Sequence, residues 1–247
     1  MSEARPKVYL LDVEGTIAPL TLTSEVLFPY ARAHFLAFLE QHVDDPAVHA
    51  DLALLAEENS SDSDPTSPKV CHPEVAAATE GTAFQNAALK YLFWLMDRDR
   101  KSTALKSLQG KIWKAGFESG ELKGTLFDDV PDAFRRWSAD ALVAIYSSGS
   151  VEAQKLFFRH STGGDLTPLI SGYFDTRTGP KMEPASYAAI AASMDVAPED
   201  VLFFSDAVRE LDAASQAGCQ TRLAVRPGNA PVEDPHGHAV VESFADL

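Results

Sequence analysis

Three short apolar runs in this sequence end in residues that can do chemistry. Residues 8–11 lead to Asp12, Glu14 and Gly15; residues 141–146 lead to Ser147, Ser148 and Gly149; residues 201–204 lead to Ser205 and Asp206. Singly, each has a bland explanation, since Ser148 or Ser150 would cap a helix starting near Val151, and Asp206 a helix after it. Together they describe phosphoryl transfer to a carboxylate. Asp12 and Asp206 are hard oxygen donors of the kind Mg2+ takes beside waters and phosphate oxygens. Such a cation reverses the local sign of an acidic site. One Asp12 oxygen is then free to attack phosphorus in line, giving an aspartyl-phosphate that water hydrolyses. Ser147 or Ser148, and the N–H groups that follow at a helix start, suit the remaining phosphate oxygens. Lys181 lies in "RTGPKMEPASY", between a Gly179-Pro180 turn and Pro184 at the head of a helix. Alone it reads as a solvated lysine; beside the other groups it is the cation for charge building up on phosphate.

Bringing these groups together requires strands whose carboxyl ends open on one crevice. The three runs have the length and two-sided apolar character of buried parallel strands, and residues 221–225 read as a fourth before the turn Arg226-Pro227-Gly228-Asn229. Helical patterns at 151–160, 184–194 and 210–216 separate the later strands, which predicts an α/β fold with a parallel sheet. Residues 19–123 differ, reading as helix after helix: one that Ser24 can cap and that runs to about Val43, one over 46–58, one with Phe84, Ala88, Tyr91, Leu92 and Leu95 at helical spacing, and one over 103–116. This block predicts a separate cap domain of residues 19–123, with residues 1–18 and 124–247 as the core. Between its helices, "NSSDSDPTSP" at 59–68 reads as a mobile surface loop.

The whole chain has 247 residues, 45% of them hydrophobic, enough for one large domain or a core with a smaller partner. Its 21 basic and 36 acidic residues give a formal net charge of -15, which repels nucleic acid and anionic membranes and obliges an anionic substrate to find a local positive site. The first residues lack the apolar stretch of a signal peptide and no run approaches a membrane span, so a cytosolic address is expected. Cys71 and Cys219 fit neither a disulfide framework nor a zinc site. The seven histidines form no metal-spaced cluster, and His236 and His238 are expected in a solvated polar tail. Nucleotide-binding glycine loops are missing from the sequence.

In order and context, Asp12-Val13-Glu14-Gly15-Thr16, Ser147-Ser148-Gly149, Lys181 and Ser205-Asp206 resemble the four motifs of the haloacid dehalogenase superfamily. With "LFPYAR" at 27–32, "LQGKIWKAGFESGELKG" at 108–124, "YSSGSVEAQKLFF" at 146–158 and "RPGNA" at 226–230, the chain is similar to the enolase-phosphatase, or acireductone synthase, family of methionine salvage. The resemblance spans nearly the whole chain outside residues 59–75. It implies a Rossmann-like parallel sheet core with an inserted all-helical cap. It also implies Asp12 as nucleophile and Mg2+ ligand, Glu14 as a ligand through its main chain, and Asp206 as the remaining protein ligand. Ser147, Ser148 and Lys181 would contact substrate. The implied reaction enolises 5-methylthio-2,3-dioxopentyl 1-phosphate and dephosphorylates it to an acireductone, in a monomer carrying Mg2+.

The superfamily's usual second Asp is here Glu14, one methylene longer. Either that reach addresses the substrate carbon beside the phosphate ester, removing a proton alpha to the carbonyl, or Glu14 does only the usual acid-base work on leaving group and water. Trp94, Trp113, Phe117, Lys106 and Gln109 are cap candidates for the methylthio tail and polar oxygens, each with an ordinary packing or surface role as its alternative. Two other functions compete: a phosphatase of the same fold for another small phosphate ester, and a non-catalytic binding protein. The latter has no need of Asp12, Lys181 and Asp206 together.

Overall fold

The computed structural model describes residues 5–42, 44–70, 81–245 and 247, and divides into two compact units, Met1–Leu22 with Gly120–Leu247 and, separately, Thr23–Ser119. The first unit is built on a parallel sheet. Strands β1 (Val8–Leu11), β2 (Leu142–Tyr146), β3 (Gly172–Phe174), β4 (Val201–Ser205), β5 (Gln220–Ala224) and β6 (Ala239–Val241) lie in the order β3-β2-β1-β4-β5-β6. Alternate residues of the central strands point to opposite faces, and both faces are apolar because both are covered. Val8, Leu10, Ala144 and Phe203 pack with Tyr187, Ile190 and Leu211. On the opposite face, Tyr9 stacks on Trp137 at 4.4 Å between ring centroids, and Trp137 and Phe244 close over Phe204. Helices α5 (Val130–Trp137), α6 (Val151–Arg159), α7 (Pro184–Ser193) and α8 (Val208–Gln216) supply the covering residues and connections.

Leu11 pairs with Ile145 on one side and Phe204 on the other, so the three central strands end level. The connection out of β3 passes β2 and β1 to reach β4, and that reversal of strand order opens a crevice at the carboxyl edge. Two short strands escaped the sequence reading. β3 and β6 have three residues each, too few for an alternation to register, and the fourth expected strand begins one residue earlier, at Gln220. The expected solvated tail holds at His236, which is exposed, and is corrected at His238. His238, 7% exposed at its side chain, bonds to Thr221 and to Asp212, and β6 follows directly.

The second unit is helical: after a π-helical turn at Leu22–Leu27 come α1 (Phe28–Gln41), α2 (Pro46–Ser60), α3 (Gly81–Asp97) and α4 (Thr103–Ser119). Its own core is formed by residues such as Phe35, Leu39, Leu55, Leu92, Leu108 and Ile112. Residues 19–22 and 120–123 group with the sheet rather than with these helices, and Leu22 and Leu122 are buried there. The mobile loop expected at 59–68 is instead pinned. Asn59, 1% exposed, donates to Ser67 and Pro68 and accepts from Val70, while Asp62 and Asp64 each turn the backbone through a bond two residues on. Val43 and Cys71 lie outside the described residues, and Cys219 is buried, its thiol pushed up to about 11 by that burial. Among the described residues no helix is long and apolar enough to cross a membrane.

Candidate active site

β1 hands the chain to a tight loop that starts at Asp12, 8% exposed. The amides of Ile17 and Ala18 donate to the Val13 carbonyl at 3.0 and 2.9 Å, and that of Gly15 to the Ala18 carbonyl at 2.8 Å. Glu14 is half-buried at the bend. Gly15 has φ +74°, and a Cβ there would run into the Asp206 carboxylate, so only glycine lets the Asp206 side chain lie against this loop.

Lys181 joins the carboxylates. Its Nζ donates to Asp12 Oδ1 and, at 3.1 Å, to Glu210 Oε2. Burial alone would drive the ammonium to lose its proton, but the neighbouring Asp12 and Glu210 charges outweigh it and hold the pKa above the ordinary lysine value. Ser205 Oγ, fully buried, donates to Glu210 Oε2 at 3.0 Å and accepts from the Ala207 amide at 3.1 Å. The turn carrying Lys181 is held at three successive carbonyls: Tyr146 Oη donates to Gly179 at 2.8 Å, Ser186 Oγ to Pro180 at 2.8 Å and Tyr187 Oη to Lys181 at 2.7 Å. A flexible side chain is thereby given a fixed root.

After β2, the Ser147 amide donates to the Phe174 carbonyl at 3.1 Å, and Ser147 Oγ accepts from the Gly149 amide at 3.3 Å. The cap of α6 is Ser150, which accepts from the Ala153 amide at 3.2 Å, so Ser148 is not spent on capping and stays exposed with Gly149. Buried Gln154 braces this turn, donating to the Gly149 and Phe174 carbonyls at 2.7 and 2.9 Å.

A divalent metal suits these residues. Burial, then the charges of Asp12 and Glu210, push the Asp206 carboxyl up to about 6, which marks a place short of positive charge. Among the described residues no three His, Cys, Asp or Glu side chains form a metal cage. Mg2+ needs no such cage, since a couple of carboxylates with backbone, water and phosphate oxygens complete its shell. Asp12 and Asp206 offer those carboxylates, and a main-chain contribution from Glu14 is what the family resemblance implies.

Glu210 was missed in the sequence. It lies four residues after Asp206, on the first turn of α8, where an acid reads simply as a partner for the helix dipole. Of the cap candidates, Trp94 is buried in the helical unit's own core, Gln109 and Phe117 are buried, and Trp113 Nε1 donates to the Leu27 carbonyl at 2.8 Å. Lys106 is exposed at a cleft of about 390 Å³ in that unit, with Asp62, Tyr91 and Arg100.

A parallel sheet whose central strands end in an aspartate, a serine turn and a second aspartate, with a part-buried lysine paired to the first of them, defines a hydrolase of the haloacid dehalogenase type, and residues 6–218 match the haloacid dehalogenase-like hydrolase family. Enolase-phosphatase E1 of Synechococcus elongatus is 55% identical over 227 residues, covering 91% of this chain and 90% of that one. Enolase-phosphatase E1 of Danio rerio is 39% identical, covering 98% and 94%. The solved structure of UTR4 protein from Saccharomyces cerevisiae matches with a TM-score of 0.78 at 34% identity, covering 98% of this chain and 100% of that one. The chain belongs to the enolase-phosphatase E1 family and is a bifunctional enolase-phosphatase built on a phosphatase fold.

Proposed function

We propose that the substrate is 5-methylthio-2,3-dioxopentyl 1-phosphate and the products are 1,2-dihydroxy-5-(methylthio)pent-1-en-3-one and phosphate, the methionine-salvage step. The observation that carries this reading is the Asp12–Lys181–Glu210 ion-pair cluster with Asp206 beside it, at the carboxyl edge of β1 and β4. Glu14 takes the C1 proton, the C–H electron pair becomes the C1–C2 double bond, and charge passes to the C2 oxygen, which solvent protonates. Lys181 stabilises the negative charge and keeps Asp12 aligned. Asp12 then attacks phosphorus, the bond to the C1 oxygen breaks, and Glu14 returns its proton to that oxygen. Water hydrolyses the aspartyl-phosphate and releases its proton to solvent. Ser147, Ser148 and the backbone N–H groups that follow them receive the non-bridging phosphate oxygens. When bound by Asp12, Asp206 and the Glu14 main chain, one Mg2+ per subunit neutralises the phosphate so that a carboxylate can approach it.

In this reading residues 19–123 act as the substrate-covering cap of a cytosolic monomer, residues 1–18 and 124–247 carry the chemistry, and neither nucleic acid nor membrane is a partner. The net charge of -15 supports the last point. The test is turnover of the diketone phosphate with Mg2+, following enol formation by absorbance and phosphate together, beside Asp12→Asn. Enol formation with phosphate release lost in the variant is expected. Wild-type phosphate release by Asp12→Asn would remove Asp12 as nucleophile, and turnover of other phosphate esters alone would replace the substrate.

A further inference from the structure

The turn after β5, Arg226-Pro227-Gly228-Asn229, has no part in the chemistry above, yet both of its long polar side chains reach back to the loop that carries Glu14. Asn229 Nδ2 donates to the Gly15 carbonyl at 2.8 Å, and Arg226 Nε to the Thr16 carbonyl at 2.9 Å. From this geometry we propose that Asn229 is a positioning residue for Glu14, with Arg226 as its anchor; the inference rests on the reading of Glu14 as the group that carries the C1 proton.

Glu14 is followed by a glycine that cannot be replaced, because the Asp206 carboxylate occupies the place of a side chain. Glycine brings backbone freedom at the point where a proton-transfer group needs a fixed direction. Holding the Gly15 and Thr16 carbonyls fixes the Gly15–Thr16 and Thr16–Ile17 peptide planes, while the Gly15 amide on the Ala18 carbonyl ties the plane that joins Glu14 to Gly15, and together these remove that freedom.

The clamp is rigid on its own side. Arg226 is 5% exposed, forms a two-pronged pair with Asp129 at 2.8 and 2.8 Å, donates to the Glu242 carbonyl at 2.8 Å, and has the Phe127 and Phe244 rings 4.7 and 4.4 Å from its guanidinium carbon. Arg226 and Asn229 are tied to each other by the Asn229 amide on the Arg226 carbonyl at 3.0 Å, in a turn that Gly228 permits with φ +89°. The Asn229 amide has one possible orientation. The two groups facing it, the Gly15 and Ala224 carbonyls at 2.8 and 3.4 Å, can only accept, so the NH2 group must face them. Its Oδ1 is left buried without a protein partner. A residue serving the turn alone gains nothing from a stranded acceptor; what this orientation secures is the hold on Gly15.

Arg226 variants risk unfolding the node, so Asn229 carries the test. Asn229→Asp keeps the size and sets an oxygen against the Gly15 carbonyl, and Asn229→Leu removes the donor. Each is assayed with the diketone phosphate and Mg2+ for enol formation, KM and the primary isotope effect of C1 deuteration, with the folded fraction from circular dichroism and Glu14→Gln in parallel. The expected result is enol formation per folded enzyme reduced about tenfold or more, KM within about twofold, and an isotope effect at least as large as that of the wild type. Wild-type enol formation per folded enzyme, or a loss that appears only in KM or only in the folded fraction, overturns the proposal. If Glu14→Gln itself keeps enolisation, the reading of Glu14 has failed; if Glu14→Gln loses enolisation and both Asn229 variants keep it, only the clamp has failed.

Discussion

At the scale of the residue, the site sets three carboxylates, Asp12, Asp206 and Glu210, against a single ammonium, Lys181. That imbalance has a measurable sign. The Asp206 pKa is raised from 3.8 to about 6, so in the metal-free protein its contribution to stability is complete below the ordinary carboxylate pKa and is lost as pH rises through about 6. Asp206→Asn carries no charge and escapes that loss. It should melt several degrees above metal-free wild type near neutral pH, with the gap closing as pH falls toward about 4. Added Mg2+ should then raise the melting temperature of wild type and leave that of the variant unmoved. Melting curves that coincide at every pH would contradict the imbalance. Asp12, Ser147, Ser148, Lys181 and Asp206 stand out as candidates in the sequence because each follows a strand end or a turn, whereas Glu210 is a helix residue whose lysine partner is 29 positions away. The tyrosines that fix the Lys181 turn were hidden for a similar reason, since a buried aromatic reveals its packing in sequence but not the aim of its hydroxyl.

Among the elements, the loop after β1, the turn after β5 and the segment after β6 are held by one polar node. Asp129, at the head of α5, accepts from Arg226, from Ser243 Oγ at 2.9 Å and from the Phe244 amide at 2.6 Å. Burial opposes its charge, but the Arg226 and Phe244 hydrogen bonds and the Arg226 charge outweigh it, and its pKa lies below the ordinary carboxylate value. A depressed carboxylate adds stability above its unfolded pKa and gives it up as pH falls through the folded one. Asp129→Asn should therefore cost about 3–5 kcal/mol in urea unfolding near neutral pH. The difference should shrink below about pH 4 as the wild type loses the same charge; a constant difference down to acid pH would assign it to packing. The central strands were readable as apolar runs because both faces are buried. β3 and β6 were not, because their places come from pairing with neighbours already formed. The same holds for residues 59–68, whose composition reads as loop while one buried amide, Asn59, fixes it.

For the molecule as a whole, a formal charge of -15 surrounds a site that must admit a phosphate ester. Long-range repulsion is screened by salt and the short contact with Lys181 much less so, so kcat/KM should rise about twofold between about 10 and 150 mM ionic strength at constant Mg2+. A fall over that range would mean that the local positive field steers the substrate. The helical block shows in the sequence as a change in periodicity after β1, and residues 19–22 and 120–123, which flank its helices, group with the sheet unit. That insertion also bears on the life of the chain before it is an enzyme. β1 is flanked by β2 and β4, which begin at Leu142 and Val201. A ribosome emits the strand that ends at Asp12 first, then the whole of Thr23–Ser119, and only afterwards either neighbour. The helices can close their local contacts at once, while an apolar strand waits through most of translation for its partners. An unpaired β1 is thus an aggregation risk that belongs to synthesis rather than to the finished fold.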